Sequence, residues 1–247
     1  MVFPRPMRYN TGMGNYVYYF LVIAVFLLSL LAQSRVRSVF NKYAQVPAAR
    51  GVTGAQLAYE LLQKNGLSLP IQAVKGSLTD HYDPTNQVVG LSEAVYGSAS
   101  VSALAVAAHE IGHVLQYNED YRPMRLRSAL LPAANIGGRI GPFLVLGGLL
   151  LSWLVESVGN GGYYLALVGV GLYVAVLLFQ LLTLPVEFNA SRRGLSMLTE
   201  GGYITDSELP GAKKMLNAAA MTYVLAALGS FVTVLRLLSL ANGARRR

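Results

Sequence analysis

Two of the chain's three histidines stand four residues apart, with a glutamate beside the first. They are His109, Glu110 and His113, in the stretch VSALAVAAHEIGHVLQYNED from Val101 to Asp120. With Ser100 as its N-cap, this stretch is predicted to be one helix, and residues four apart then lie on one face, one turn above the other. Two imidazoles converge on one point. A zinc ion takes imidazole nitrogen at roughly 2.0–2.1 Å and keeps one coordination position open when its site is catalytic. Glu110 is placed to take a proton from water held there, which is the general-base part of metal-assisted hydrolysis. The competing reading is three polar side chains sharing a helix by chance. Burying them in an apolar helix without something to pair them is costly, which favours the metal site.

Two histidines leave such a site short of one protein ligand, commonly a carboxylate. Glu119, Asp120, Glu187, Glu200, Asp206 and Glu208 are the candidates on the expected side of the membrane. Glu187 stands out in LPVEFNASRRGL, where Pro185 can open a fresh helix. Between His113 and Glu187 the sequence predicts two membrane crossings, an even number, so both residues return to one face. Glu187 could instead be a carboxylate favoured by a helix N-terminus, or half of a surface pair with Arg192 or Arg193.

The elements that must carry these residues belong to a membrane protein. Of the 247 residues, 53% are hydrophobic and only 13% charged, with a mean hydropathy of +0.43, unlike a soluble globule. With no cysteine, disulfides and thiolate metal sites are excluded, and zinc must be held by nitrogen and oxygen. The net charge of +8 comes from basic residues crowded beside apolar runs, in QSRVRSVFNKY, NASRRG, GAKK and the final ARRR. That placement reads as topology signals and lipid-headgroup contacts. No nucleic-acid recognition motif accompanies it, so nucleic acid is not an expected partner.

The first apolar run, residues 16–32, is uncharged, near the lower limit for spanning, and reads as an uncleaved transmembrane anchor. Residues 33–135 form the one long polar stretch, with the texture of a small α+β domain. TGAQLAYELLQKNG is predicted to be a helix capped near Thr53 and stopped at Gly66; IQAV and NQVVGL are strand candidates separated by the turn-rich KGSLTDHYDPT. A glycine-rich transmembrane hairpin follows over 140–184, joined by ESVGNGG, then a third-ligand helix and cytoplasmic loop over 185–214 and a last membrane helix over 218–240. Lys and Arg follow the first and third runs and are missing from the hairpin linker, which places the polar domain in the cytoplasm. The terminal arginines run against that bias if the last helix crosses, so it is either a span or a re-entrant or interfacial helix.

With these residues in view, the chain resembles the YugP-like family of putative neutral membrane zinc metallopeptidases. The likeness rests on GSLTDHYDPTNQVVGLSEAVYGSASVSALAVAAHEIGHVLQ and PVEFNASRR, in that order, and runs from the first span to about Leu198. More distantly it is similar to HtpX-type membrane proteases and other gluzincins. The resemblance implies His109, His113 and Glu187 as zinc ligands, Glu110 as general base, and a zincin-like catalytic domain inserted after the first of about four membrane helices in an α-rich multi-pass protein. Ser191 stands where the distant relatives often carry an aspartate that orients a zinc histidine; serine can accept from an imidazole N–H but adds no charge.

The oxyanion formed on peptide-bond attack needs a donor. His81, Tyr82, Tyr203, Arg192 and Arg193 are candidates. The DHYDP segment reads equally well as a turn in which Asp80 and Asp83 cap the backbone, and its acidic spacing makes no recognisable calcium loop.

The expected activity is therefore zinc-dependent endopeptidase cleavage of membrane or unfolded proteins. A polypeptide substrate and the lipid bilayer are its partners, and a second copy of the chain or a regulatory membrane protein is compatible with it. An intramembrane protease fits poorly, because the apolar stretch before His109 is too short for a span of roughly twenty residues. A scaffold or chaperone adaptor with a structural or vestigial metal has no need of Glu110. A transporter would show an ion path, whereas Arg139 and Arg236 can both reach the interface.

Overall fold

The computed structural model describes residues 11–155 and 160–245. Much of the ESVGNGG linker and the last two terminal arginines lie outside them. In chain order the elements are α1 (Thr11–Ala44), α2 (Gly54–Lys64), β1 (Ile71–Val74), β2 (His81–Asp83), β3 (Val88–Ser92), α3 (Glu93–Tyr96), α4 (Val101–Asn118), α5 (Arg122–Leu154), α6 (Gly161–Glu200) and α7 (Leu209–Arg245). Two compact units divide the chain: Leu31–Pro132 with Leu178–Val224, and the described parts of Met1–Leu30, Ala133–Leu177 and Leu225–Arg247.

In the first unit, local sequence sets the ends of the helices. Thr53 and Gln56 form a capping box: the Gln56 N–H donates to Thr53 Oγ1 at 3.2 Å, and the Thr53 N–H donates to Gln56 Oε1 at 2.9 Å. The helix that follows buries Leu57, Ala58, Leu61 and Leu62 on one face and packs against α4. Ser100 caps α4, its Oγ accepting from the Ala103 N–H at 3.3 Å. This helix is apolar nearly all round because it runs through the core, with His109 the one residue between Val101 and Gln116 that is only half-buried.

The sheet has the order β1-β3-β2, with β1 parallel and β2 antiparallel to the central β3. β1 and β3 fall on the expected β-branched segments. β2 lies inside the stretch read as turn; its three residues take their strand geometry from pairing, His81 opposite Gly90 and Asp83 opposite Val88. Leu57, Leu62, Val89, Leu91, Leu104 and Ile111 are fully buried together in this core.

In the second unit, glycines let helices touch. A β-carbon on Gly137, Gly141 or Gly148 of α5 would meet the carbonyl oxygens of Leu172, Gly169 and Gly162 on α6, the close packing expected of small residues in membrane helices. Phe20, Phe143 and Trp153 turn outward, each with more than 60% of its surface open. In water such a surface would be a liability; lipid is its natural solvent. Four helices are long and apolar enough to cross a membrane: Tyr16–Ala44, Arg122–Leu154, Gly161–Glu200 and Leu209–Asn242. The helices overrun their apolar segments, and Pro185 does not begin a helix but sits inside α6, a position tolerated in membrane helices where neighbouring groups re-satisfy the freed carbonyl.

Candidate metal centre

The site is built in the first unit on two helices held unusually close. A β-carbon on Gly112 would lie 2.6 Å from the Ala190 carbonyl oxygen, and one on Gly194 would lie 3.1 Å from the backbone of Ala108 and His109. The glycine inside the His-Glu-x-x-His stretch and the one following the two arginines thus let the backbones of α4 and α6 meet. That contact carries Glu187 to the histidines.

Glu187 Oε2 lies 3.2 Å from His109 Nε2 and 3.6 Å from His113 Nε2. The imidazole rings stand edge to face with centroids 4.7 Å apart, and one donor atom from each of the three residues falls within 4.8 Å of the others. In a tetrahedral zinc site with bonds of about 2.0–2.1 Å, neighbouring ligand atoms are about 3.3 Å apart. The two measured separations lie on either side of that value. The residues fit the ion.

The other imidazole nitrogens are also engaged. Gln116, three residues after His113 and fully buried, donates its amide hydrogens to the Val186 carbonyl at 2.8 Å and to Asn189 Oδ1 at 2.9 Å. Its oxygen is therefore the atom that faces His113 Nδ1 at 3.0 Å, which places the proton on Nδ1 and leaves Nε2 to bind metal. Ser191 Oγ lies 3.2 Å from His109 Nδ1 and serves the first histidine in the same way. Asn189 Oδ1 further accepts from Arg193 Nε at 2.8 Å, and Arg193 grips Glu119 through both terminal nitrogens at 2.8 and 2.7 Å. One hydrogen-bonded network thus ties α4 to α6 beside the ligands.

Glu110 is buried and accepts no hydrogen bond from the described residues. Burial pushes its carboxyl above the usual range, against the opposing pull of His109 and His113. Two cavities of about 290 Å³ each open on it and share Asp80, His109, Glu110, Glu187 and Tyr223. Val36, Leu78, Val106, Met215, Leu216 and Ala220 wall the first. The second is lined by His81, Tyr82, His113, Met124, Arg127 and Phe179 among others.

Of the other carboxylates considered as ligands, none joins the histidines. Glu119 is held by Arg193, Asp120 pairs with Arg125, and Glu200 accepts from Ser196. Glu208 accepts from the Ala49 and Thr205 N–H groups, and Asp206 is exposed. Among the candidate donors, His81 and Tyr82 line the second cavity, and the segment also forms the caps: Asp83 Oδ1 accepts from the Thr85 and Asn86 N–H groups, and Asp80 from the Ser92 N–H and hydroxyl. Burial raises the Asp80 carboxyl, partly offset by those Ser92 bonds. Tyr203 is elsewhere, fully buried beneath Arg50 with its hydroxyl on Glu60 at 2.8 Å. Arg192 is exposed and lines neither cavity, and Arg193 is committed to Glu119 and Asn189.

Gln116 and Tyr223 were not anticipated. Gln116 had a signal in its i, i+3 spacing from His113. Tyr223 had a weaker one, as a hydroxyl-bearing ring beside Thr222 in the mostly apolar run AAAMTYVLAAL.

Comparison with known proteins agrees with this geometry. The family model described as "Putative neutral zinc metallopeptidase" matches residues 18–242. "Putative membrane protease YugP" of Bacillus subtilis (strain 168) is 46% identical over 221 residues, which is 89% of this chain and 94% of that protein. No solved structure matches the chain.

Proposed function

The chain belongs to the family of putative neutral zinc metallopeptidases, and from that premise we propose that it is a membrane zinc endopeptidase. In this reading four apolar helices embed it as a multi-pass protein of the cell membrane, and it hydrolyses peptide bonds of membrane or unfolded proteins at the cytoplasmic face. The observation that carries the proposal is the convergence of His109, His113 and Glu187 next to an unbonded, buried Glu110 where two cavities meet. A structural metal would need the ligands but not the base. The cytoplasmic assignment rests on the Lys and Arg residues that follow the first and third apolar runs.

His109, His113 and Glu187 would hold zinc, which when bound supplies Lewis-acid polarisation of a carbonyl and makes water a better nucleophile near neutral pH. Glu110 takes the proton from water as the oxygen–carbon bond forms, and returns it to the amide nitrogen as the carbon–nitrogen bond breaks. Tyr223 lines both cavities with its hydroxyl beside Glu187, and in this reading, with His81 and Tyr82 of the second cavity, it is a candidate donor for the charge that develops on the carbonyl oxygen. Ser191 and Gln116 fix the orientation of the imidazoles.

The test is cleavage of an unfolded protein by the detergent-purified chain, with zinc content measured by mass spectrometry on the same samples. Glu110→Gln is expected to keep near-stoichiometric zinc and lose cleavage by about 100-fold or more, whereas His109→Ala and Glu187→Ala lose both. Undiminished cleavage by Glu110→Gln, or zinc retained by Glu187→Ala, would overturn the assignment. Because the chain has no cysteine, Tyr59→Cys at an exposed site on α2 reports the side directly. It should be labelled by an impermeant thiol reagent in inside-out vesicles and protected in intact cells.

A further inference from the structure

We propose that Arg127 makes the second cavity a carboxylate subsite, so that the substrate presents a carboxylate on one side of the bond to be cut. The group would come from an acidic side chain or from the substrate's own C-terminus. The inference rests on the peptidase reading above and names a class of substrate for it.

A polypeptide passing from one cavity to the other must cross the residues they share, Glu110 among them, so the two cavities flank the reacting bond. The second, at about 290 Å³, is nearly twice the ~150 Å³ that suffices for a benzene ring, ample for one side chain or a chain terminus. Arg127 stands in its wall with the guanidinium over the Phe179 ring, 5.6 Å from the centroid. Its Nε is shut off from solvent and has no hydrogen-bond partner. It makes no ion pair with any described residue, unlike Arg50, Arg125 and Arg193. Arg37, in the wall of the first cavity, is exposed and left to water.

Nε itself is closed to a guest in the cavity, but Arg127 lines that cavity without an ion pair among the described residues, and the terminal nitrogens of a guanidinium are shaped for a carboxylate. The acidic residues in the same wall do not forbid it. Glu187 faces both histidines, Asp80 accepts from Ser92, and Glu110, the third, is the proton acceptor of the proposed reaction and is made neutral by Glu110→Gln in the binding test below. The apolar wall of the first cavity would take an aliphatic or aromatic side chain across the bond.

The experiment is fluorescence anisotropy with zinc-loaded Glu110→Gln in detergent, so that binding is read without cleavage. The probes are labelled peptides of one apolar scaffold carrying Asp, Asn or Lys at each place in turn, each with a free or an amidated C-terminus. Replacing the carboxylate should weaken binding about tenfold or more. A loss on Asp→Asn identifies a side chain, and a loss only on amidation identifies the terminus. Adding Arg127→Gln should erase the dependence and Arg127→Glu should shift preference to Lys. Should Arg127→Gln fail to fold, Arg127→Lys keeps the stem and charge and is expected to lose part of the preference. Affinities indifferent to the carboxylate, a preference that survives Arg127→Gln in folded protein, or no binding of any peptide would overturn the subsite. The two readings separate cleanly: carboxylate-dependent binding without cleavage by the wild-type chain sinks the peptidase and leaves the subsite, and cleavage without that preference does the reverse.

Discussion

Gly112 and Ala190 meet so closely that residue 112 has room for no side chain, the Ala190 carbonyl oxygen lying 2.6 Å from where its β-carbon would be. The obstacle is backbone and cannot swing aside, so a methyl group there must push α6 away from α4. Gly112→Ala is therefore expected to destabilise the protein by about 1–3 kcal/mol and to loosen zinc, because Glu187 moves with α6. Gly97→Ala is the control, since nothing lies within 4 Å of its added β-carbon. Thermal unfolding with and without a chelator checks both; a Gly112→Ala variant with wild-type zinc content would show that the helices do not set the ligand geometry.

Gln116 is the side chain that orients His113, the second candidate ligand. Removing its amide in Gln116→Leu leaves His113 Nδ1, the Val186 carbonyl and Asn189 Oδ1 each short of a partner. Partners that orient a ligating imidazole are worth about 10–100-fold in metal affinity. Competition against a chromogenic chelator should show a loss in that range. An affinity unchanged within twofold would mean that His113 is oriented by packing alone.

At His109 the corresponding partner is neutral, Ser191 rather than a carboxylate. Ser191→Ala is expected to weaken zinc binding by about tenfold, at the gentle end of the range for such partners. Ser191→Asp should recover that loss and exceed the wild type, because a carboxylate makes the imidazole a stronger donor. If the aspartate variant binds no better than the alanine one, Oγ is not what holds the ring.

These residues also show which features a sequence discloses. The spacing of His109 and His113, the Ser100 cap and the helix start near Thr53 are local, since each depends on residues within one turn, and each is legible. Apolar runs disclose spans for the same reason. β2 escaped because its three residues are extended only by virtue of β3 beside them. Pro185 misled because proline's preference for a helix start is only a local tendency, and a long helix can carry an interior proline where neighbouring groups re-satisfy the freed carbonyl. Tyr203 and Tyr223 sit on comparable polar rings in the sequence, yet one is tied to Glu60 in the core and the other lines both cavities. Only the tertiary fold distinguishes them.

Acid should weaken the clamp between α4 and α6 through Glu119. The Arg193 guanidinium, gripping both of its oxygens, holds the Glu119 carboxyl below the usual range. An acid whose pKa is lower in the folded state adds stability at pH values above its unfolded pKa, roughly 4.3. That contribution is lost as pH falls through the folded value. Since Glu119 is half exposed, screening keeps the effect to about 1 kcal/mol or less, a few degrees in Tm at most for a chain of this size. Glu119→Gln should thus melt slightly below the wild type at neutral pH, the gap should narrow in high salt, and it should close as the pH is taken below about 4. Arg193→Gln, which also withdraws the bond to Asn189 and so disturbs the Gln116 end of the network, should cost more and retain part of its deficit in acid. Equal melting of the two variants at every pH would place the whole effect in the ion pair and none in the bond that connects it to the ligands.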